Sequence, residues 1–203
     1  MLVIFDCDGV LVDSEPIANR VLSESLAGIG VELSVAETMA EFMGRSPRHL
    51  LARTAELLGG PVPDGFLETY EEARNAAFWD ALEPIEGIED ALDELDAAGI
   101  ATCVASSGGH EKMRLTLGMT RLYDRFEGRI FSATEVKQGK PAPDLFLHAA
   151  ARMGFEPSDC VVVEDAPAGV EAGRRAGMRV LGFGEELDAD LVFTDMTELP
   201  HLL

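Results

Sequence analysis

With 203 residues, 47% of them hydrophobic and 26% charged, the chain can form one large domain or two small ones around a real apolar core. Acids outnumber bases 37 to 16, and the net charge of −21 opposes the polyanionic backbone of nucleic acid. No apolar stretch approaches the roughly 18 residues of a membrane helix, and the three scattered cysteines make no disulfide framework. The expected setting is therefore the reducing cytoplasm, with neither membrane nor nucleic acid as partner.

The first element is an apolar run, Leu2-Val3-Ile4-Phe5, too short for a signal peptide and stopped by Asp6. From Ser14 to about Asp80 only helical signals follow. Ser34 and Glu37 form a capping box. Ser46-Pro47 sets an N-cap and an N1 proline ahead of Leu50, Leu51, Leu57 and Leu58, a run closed by Gly59-Gly60. Asp64 is placed to cap a further helix running to about Trp79.

Beyond Leu82 helices alternate with short apolar runs. Ile88, Leu92 and Leu95 keep helical spacing up to Gly99, a C-cap. The runs are Ile100–Ala105, Arg129–Phe131, Cys160–Val163, Val180–Phe183 and Leu191–Phe193, none of which alternates with polar residues. Runs of that kind between helices predict parallel strands buried on both faces. The expected fold class is α/β: a Rossmann-like parallel sheet core from residues 1–13 and 81–203, interrupted by an all-helical insert at 14–80. No stripe or heptad suggests self-association, so a monomer is expected.

Ligands of open parallel sheets bind beyond the carboxyl ends of the strands. Those ends read Asp6-Cys7-Asp8-Gly9 after the first strand, Ser106-Ser107-Gly108-Gly109 after the second and Glu164-Asp165 after the Cys160 run, with Lys140-Pro141 ahead of a helix starting near Asp144. Four acids, a hydroxyl and an ammonium would converge on one edge, a set suited to phosphoryl transfer from a monoester. A carboxylate can attack phosphorus to form an aspartyl phosphate. Attack by an anion on a dianion needs Mg²⁺ and a cation to neutralise the phosphate oxygens, and the departing alkoxide needs a proton donor.

Asp6-Cys7-Asp8-Gly9-Val10-Leu11-Val12-Asp13-Ser14 resembles the first motif of the haloacid dehalogenase superfamily of phosphatases and mutases. Ser106 resembles its second motif, Lys140-Pro141 its third and Glu164-Asp165 its fourth, and with the helical insert the resemblance spans nearly the whole chain. The nearest branch is that of β-phosphoglucomutase and small sugar-phosphate phosphatases, whose helical cap follows the first motif. The resemblance implies Asp6 as nucleophile and Asp8 as general acid/base. It also implies Mg²⁺ held by Asp6, the Asp8 carbonyl, Glu164 and Asp165, and a phosphoryl group bound by Ser106, Ser107 and Lys140. A cap of this kind would close over a small phosphorylated metabolite, a sugar or polyol phosphate.

Rival readings of the same residues are weaker. A calcium loop would put Ile4, which offers no carboxylate, at its first position, and would follow a strand instead of a helix. Asp8 favours phosphate monoesters, since dehalogenases and phosphonate hydrolases lack an acid there. The mutase pattern has a histidine where this chain has Ala18, and Ser-Lys-Asn where it has Gly108, Gly109 and His110. Hydrolysis is therefore preferred to a β-phosphoglucomutase-like isomerisation, and a non-catalytic phosphate- or metal-binding regulator is the second alternative. Arg45, Arg48 and His49, around a turn between cap helices, are specificity candidates with Arg20 and His110. Lys112 and His110 follow the second motif and could reach a substrate phosphate, but a helix-surface role is preferred; Cys7, Cys103 and Cys160 read as packed thiols.

Overall fold

Leu2–Phe5 forms the first strand, β1, with all four residues buried. In the computed structural model, which describes residues 1–43, 45 and 47–203, β1 opens a core unit made of Met1–Val12 and Glu83–Leu203. A second unit, Asp13–Leu82, is inserted between them.

Every element of the inserted unit is helical: α1 (Glu15–Gly28), α2 (Val35–Phe42), α3 (Pro47–Leu58) and α4 (Phe66–Ala81). Its core gathers Val21, Leu22 and Leu26 of α1 with Phe42, Leu50, Phe66 and Tyr70. The capping box forms, Ser34 Oγ accepting the Glu37 N–H at 3.2 Å and Glu37 accepting the Ser34 N–H at 2.8 Å. Ser46, read as the cap of α3, lies outside the described residues, as does Gly44. The cap position of α4 is Gly65, at φ +78°, and not Asp64. A left-handed residue there turns the chain so that Phe66 enters the core and its N–H meets the Pro63 carbonyl at 3.2 Å.

The core unit continues with α5 (Ile88–Ala97), β2 (Ala101–Ser106), α6 (His110–Met119), β3 (Ile130–Ser132), α7 (Asp144–Met153), β4 (Cys160–Glu164), α8 (Pro167–Arg175), β5 (Arg179–Phe183), β6 (Leu191–Phe193) and α9 (Leu199–Leu202). Strand β2 starts one residue later than its apolar run, because the Ile100 N–H closes α5 on the Leu95 carbonyl at 3.0 Å. The sheet order is β3-β2-β1-β4-β5-β6, and every pairing is parallel. This is a Rossmann-like α/β sheet.

On one face of the sheet Leu2, Ile4, Cys103, Ala105 and Val162 pack against Leu145, Phe146 and Ala149 of α7 and Val170 and Ala172 of α8. On the other, Phe5 meets Phe126 edge-on with ring centroids 6.2 Å apart. Burial on both sides explains why the strands read as unbroken apolar runs. The sheet's order reverses between β1 and β4, the crevice where ligands of such sheets bind. Among the described residues no helix is long and apolar enough to cross a membrane, and all three cysteines are free and buried.

Candidate active site

The chain leaves β1 through a tight loop at that crevice. The Asp6 N–H still bonds the Val163 carbonyl of β4 at 3.0 Å, so the first aspartate is fixed as an extension of the sheet. The Leu11 and Val12 N–H groups then fold back onto the Cys7 carbonyl at 2.9 and 3.1 Å, and Gly9 takes φ +75°. A side chain at Gly9 would overlap the carboxylate of Asp165, so this glycine lets the first and fourth motifs approach.

Lys140 stands between the two strand ends. Its ammonium donates to Asp6 Oδ1 and, at 2.7 Å, to Glu164 Oε1, with only 4% of its side chain exposed. The other Glu164 oxygen accepts the Ala166 N–H at 2.9 Å. The peptide bond from Lys140 to Pro141 is cis, and the ammonium also lies 4.8 Å from the Phe146 ring centroid. Burial pushes the Asp6 carboxyl up to about 7; Glu164 and Asp8 add to the rise and Lys140 opposes it. Burial alone would pull Lys140 down, but Asp6 and Glu164 together hold it above the usual lysine range. The Cys7 thiol is driven well up by burial and by the flanking aspartates, which leaves it a poor nucleophile.

The second motif adds a hydroxyl and a tethered loop. Ser106, buried at the end of β2, accepts the Gly108 N–H at 3.1 Å through Oγ, and Ser132 Oγ donates to the Gly108 carbonyl at 2.7 Å. Ser107 is half-buried beside it. The ammonium of Lys112, read from the sequence as a helix-surface group, donates to Asp8 Oδ2 at 2.7 Å. A lysine in the first turn of a helix that follows a strand-end serine was the available signal, but nothing in its spacing identified a partner 104 residues away.

Asp6, Asp8, Ser106, Lys140 and Glu164 thus come together through β1, β2 and β4, with Asp165 against Gly9. His110 is turned elsewhere: its Nε2 pairs with Glu135 at 2.8 Å, and Glu135 also meets His148 at 3.0 Å and caps the Ser132 N–H at 2.7 Å. Arg20, Arg45, Arg48 and His49 are exposed residues of the helical unit.

The donor set suits a hard divalent cation. Asp6 and Glu164 share the Lys140 ammonium, Asp8 meets that of Lys112, and the Asp165 carboxylate lies against Gly9, so the site is rich in oxygen donors. Among the described residues no three carboxylate, imidazole or thiol groups come together as a metal site. A cation there would complete its shell with backbone carbonyl, water and phosphate oxygens, the habit of Mg²⁺.

The fold is a doubly wound parallel sheet with acids, a serine and a lysine at its switch point, the crevice where ligands of such sheets bind. The sequence matches the haloacid dehalogenase-like hydrolase family over residues 1–177. It is 31% identical over 201 residues to the 6-phosphogluconate phosphatase of Escherichia coli (strain K12), covering 98% of this chain and 90% of that one. It is 33% identical over 194 residues to Hexitol phosphatase A of the same strain, covering 91% and 83%. A solved HAD family hydrolase from Deinococcus radiodurans R1, with bound phosphate and sodium, aligns at a TM-score of 0.79 and 33% identity over 98% of this chain and 92% of that one. The chain belongs to the haloacid dehalogenase-like hydrolase family, and its class of reaction is phosphoric monoester hydrolysis.

Proposed function

We propose that the enzyme hydrolyses a small phosphorylated metabolite of the sugar- or polyol-phosphate class through a phosphorylated Asp6. The observation that carries this reading is the placement of Asp6, buried and gripped by Lys140, two residues ahead of a second aspartate held by Lys112. The names of the two Escherichia coli relatives support the substrate class.

In this reading an Asp6 oxygen forms a bond to phosphorus as the ester P–O bond breaks. Asp8 gives its proton to the departing oxygen, so an alcohol leaves. Asp8, now a carboxylate, takes a proton from the water that next attacks phosphorus, which frees inorganic phosphate and restores Asp6. Ser106 and Ser107 hold the phosphoryl oxygens together with Lys140. Glu164 fixes Lys140 from the far side, and selectivity among esters is assigned to Arg20, Arg45, Arg48 and His49 of the helical unit. Asp6, the Asp8 carbonyl, Asp165 and Glu164 would hold Mg²⁺, which would supply the positive charge that lets a carboxylate approach a phosphate dianion.

The test incubates the protein and Asp6→Asn with Mg²⁺ and a panel of sugar and polyol phosphates, including 6-phosphogluconate and β-glucose 1-phosphate. Both free phosphate and rearranged sugar phosphate are measured. Mg²⁺-dependent phosphate release, absent in Asp6→Asn, is expected. Full turnover by Asp6→Asn, or a rearranged ester without release, overturns the reading.

A further inference from the structure

The chain has three lysines, and two of them end on the two aspartates of the first loop. Lys140 is accounted for by Asp6 and Glu164. The ammonium of Lys112 lies 2.7 Å from Asp8 Oδ2, with only 23% of the lysine side chain and 15% of the aspartate side chain exposed. Its stem also belongs to the phosphate loop. A Cβ added at Gly108 would meet Ser106 Oγ at 3.4 Å, Lys112 Cδ at 3.5 Å and Asp8 Oδ2 at 3.9 Å, so these three groups surround one point of the backbone. Thr116, one turn along α6, donates to the Lys112 carbonyl at 3.2 Å and fixes the turn that carries the lysine.

We propose that Lys112 is a positioning residue for Asp8, setting the orientation from which that carboxyl exchanges protons with the departing ester oxygen and with the attacking water. The inference rests on the phosphatase reading above. An aspartate has only two side-chain torsions, and a charge-assisted bond to one oxygen fixes both. Without that bond the carboxyl is free to rotate away from the leaving oxygen. Misplacing a catalytic group by about 1 Å costs on the order of 100-fold in rate. The chemical step is unchanged: the Asp6–phosphorus bond forms, the ester P–O bond breaks, and the proton on Asp8 passes to the leaving oxygen. Lys112 keeps all its protons throughout and moves none.

This role separates cleanly from phosphate binding. A group that orients a proton donor matters most when the leaving group is a strong base and least when it departs as a stable anion. A group that binds the phosphoryl oxygens matters equally for both. The experiment therefore measures kcat and KM for the Mg²⁺-loaded protein, Lys112→Met, Lys112→Arg and Asp8→Asn on two esters: an alkyl phosphate from the panel and p-nitrophenyl phosphate. Thermal melts of each variant establish that it is folded.

The expected result is a Lys112→Met loss in kcat on the alkyl ester exceeding its loss on the aryl ester by about 10-fold or more, in the same sense as Asp8→Asn, with Lys112→Arg recovering part of the difference. Equal losses on the two esters, or a loss confined to KM, overturn the proposal and make Lys112 a phosphate ligand or a structural residue. If the wild type hydrolyses neither ester, or Asp8→Asn shows no preference between them, it is the phosphatase reading that fails, and the proposal falls with it.

Discussion

The carboxylate of Glu164 occupies the space that a side chain on Gly169 would need. Gly169 lies in α8, where alanine usually stabilises a helix by about 0.5–1 kcal/mol relative to glycine. Here an added Cβ would overlap the Glu164 carboxyl group. That group cannot swing aside without losing Lys140 at 2.7 Å and the Ala166 N–H at 2.9 Å. Gly169→Ala is therefore expected to destabilise, by about 1–3 kcal/mol as overpacked sites do, and to slow turnover by disturbing Lys140. Urea denaturation and a phosphate-release assay check both; a variant more stable than wild type would show that Glu164 is free to move.

Removing Lys140 should expose the cost of what it neutralises. Lys140→Met would leave the carboxyl groups of Asp6 and Glu164 buried without their shared cation. Deleting one partner of a buried ion pair typically costs about 3–5 kcal/mol. Asp6, whose carboxyl is already pushed up to about 7 by burial, can relieve that cost by taking up a proton, so the deficit should be largest near pH 8 and shrink towards pH 5. Denaturation of wild type and variant at both pH values, without Mg²⁺, measures the difference, and a deficit independent of pH contradicts it.

The metal-free wild type should itself lose stability as the solution becomes less acidic. Burial raises Asp6 from 3.8 to about 7 in the folded state. Between those values the folded protein binds the Asp6 proton and the unfolded chain does not, so stability falls as pH rises through that window. The remaining acids of this −21 chain contribute their own slope, and Asp6→Asn removes only the Asp6 share. The wild-type slope between pH 4 and 7 should therefore be steeper than that of Asp6→Asn, by a total on the order of a few kcal/mol. Adding Mg²⁺ near pH 7 should restore stability to the wild type more than to the variant. Parallel slopes would mean that Asp6 titrates as an ordinary aspartate.

Much of the architecture was legible because burial on both faces writes strands as unbroken apolar runs, and because motifs at their carboxyl ends fall where a parallel sheet collects them. The runs at Cys160 and Val180 became β4 and β5 within a residue of their apolar limits. What local pattern could not carry were choices made by tertiary contact. Gly65 displaces Asp64 as the cap of α4 because Phe66 has to enter the helical core. Lys112 reads as a surface lysine until β1 and β2 pair in parallel, Phe5 opposite Val104, and bring the loops beyond their ends together. The Glu135 bridge between His110 and His148 likewise joins three elements that have no periodic relation in the chain.

Gly9 offers the most direct test of the metal assignment. Its φ of +75° is a left-handed conformation that costs an L side chain roughly 1–2 kcal/mol. An added Cβ would also displace the Asp165 carboxylate. Gly9→Ala should thus do two separable things. The metal-free protein should melt at a lower temperature, from the backbone cost. The Mg²⁺ concentration for half-maximal phosphate release should rise by about 10- to 100-fold, the usual effect of disturbing a group that supports a metal ligand. The stabilisation that Mg²⁺ gives in a thermal melt should weaken in parallel, which reports binding without reference to turnover. A variant that melts lower but keeps the wild-type Mg²⁺ dependence in both measurements would remove Asp165 from the metal site and leave Gly9 with a purely conformational role.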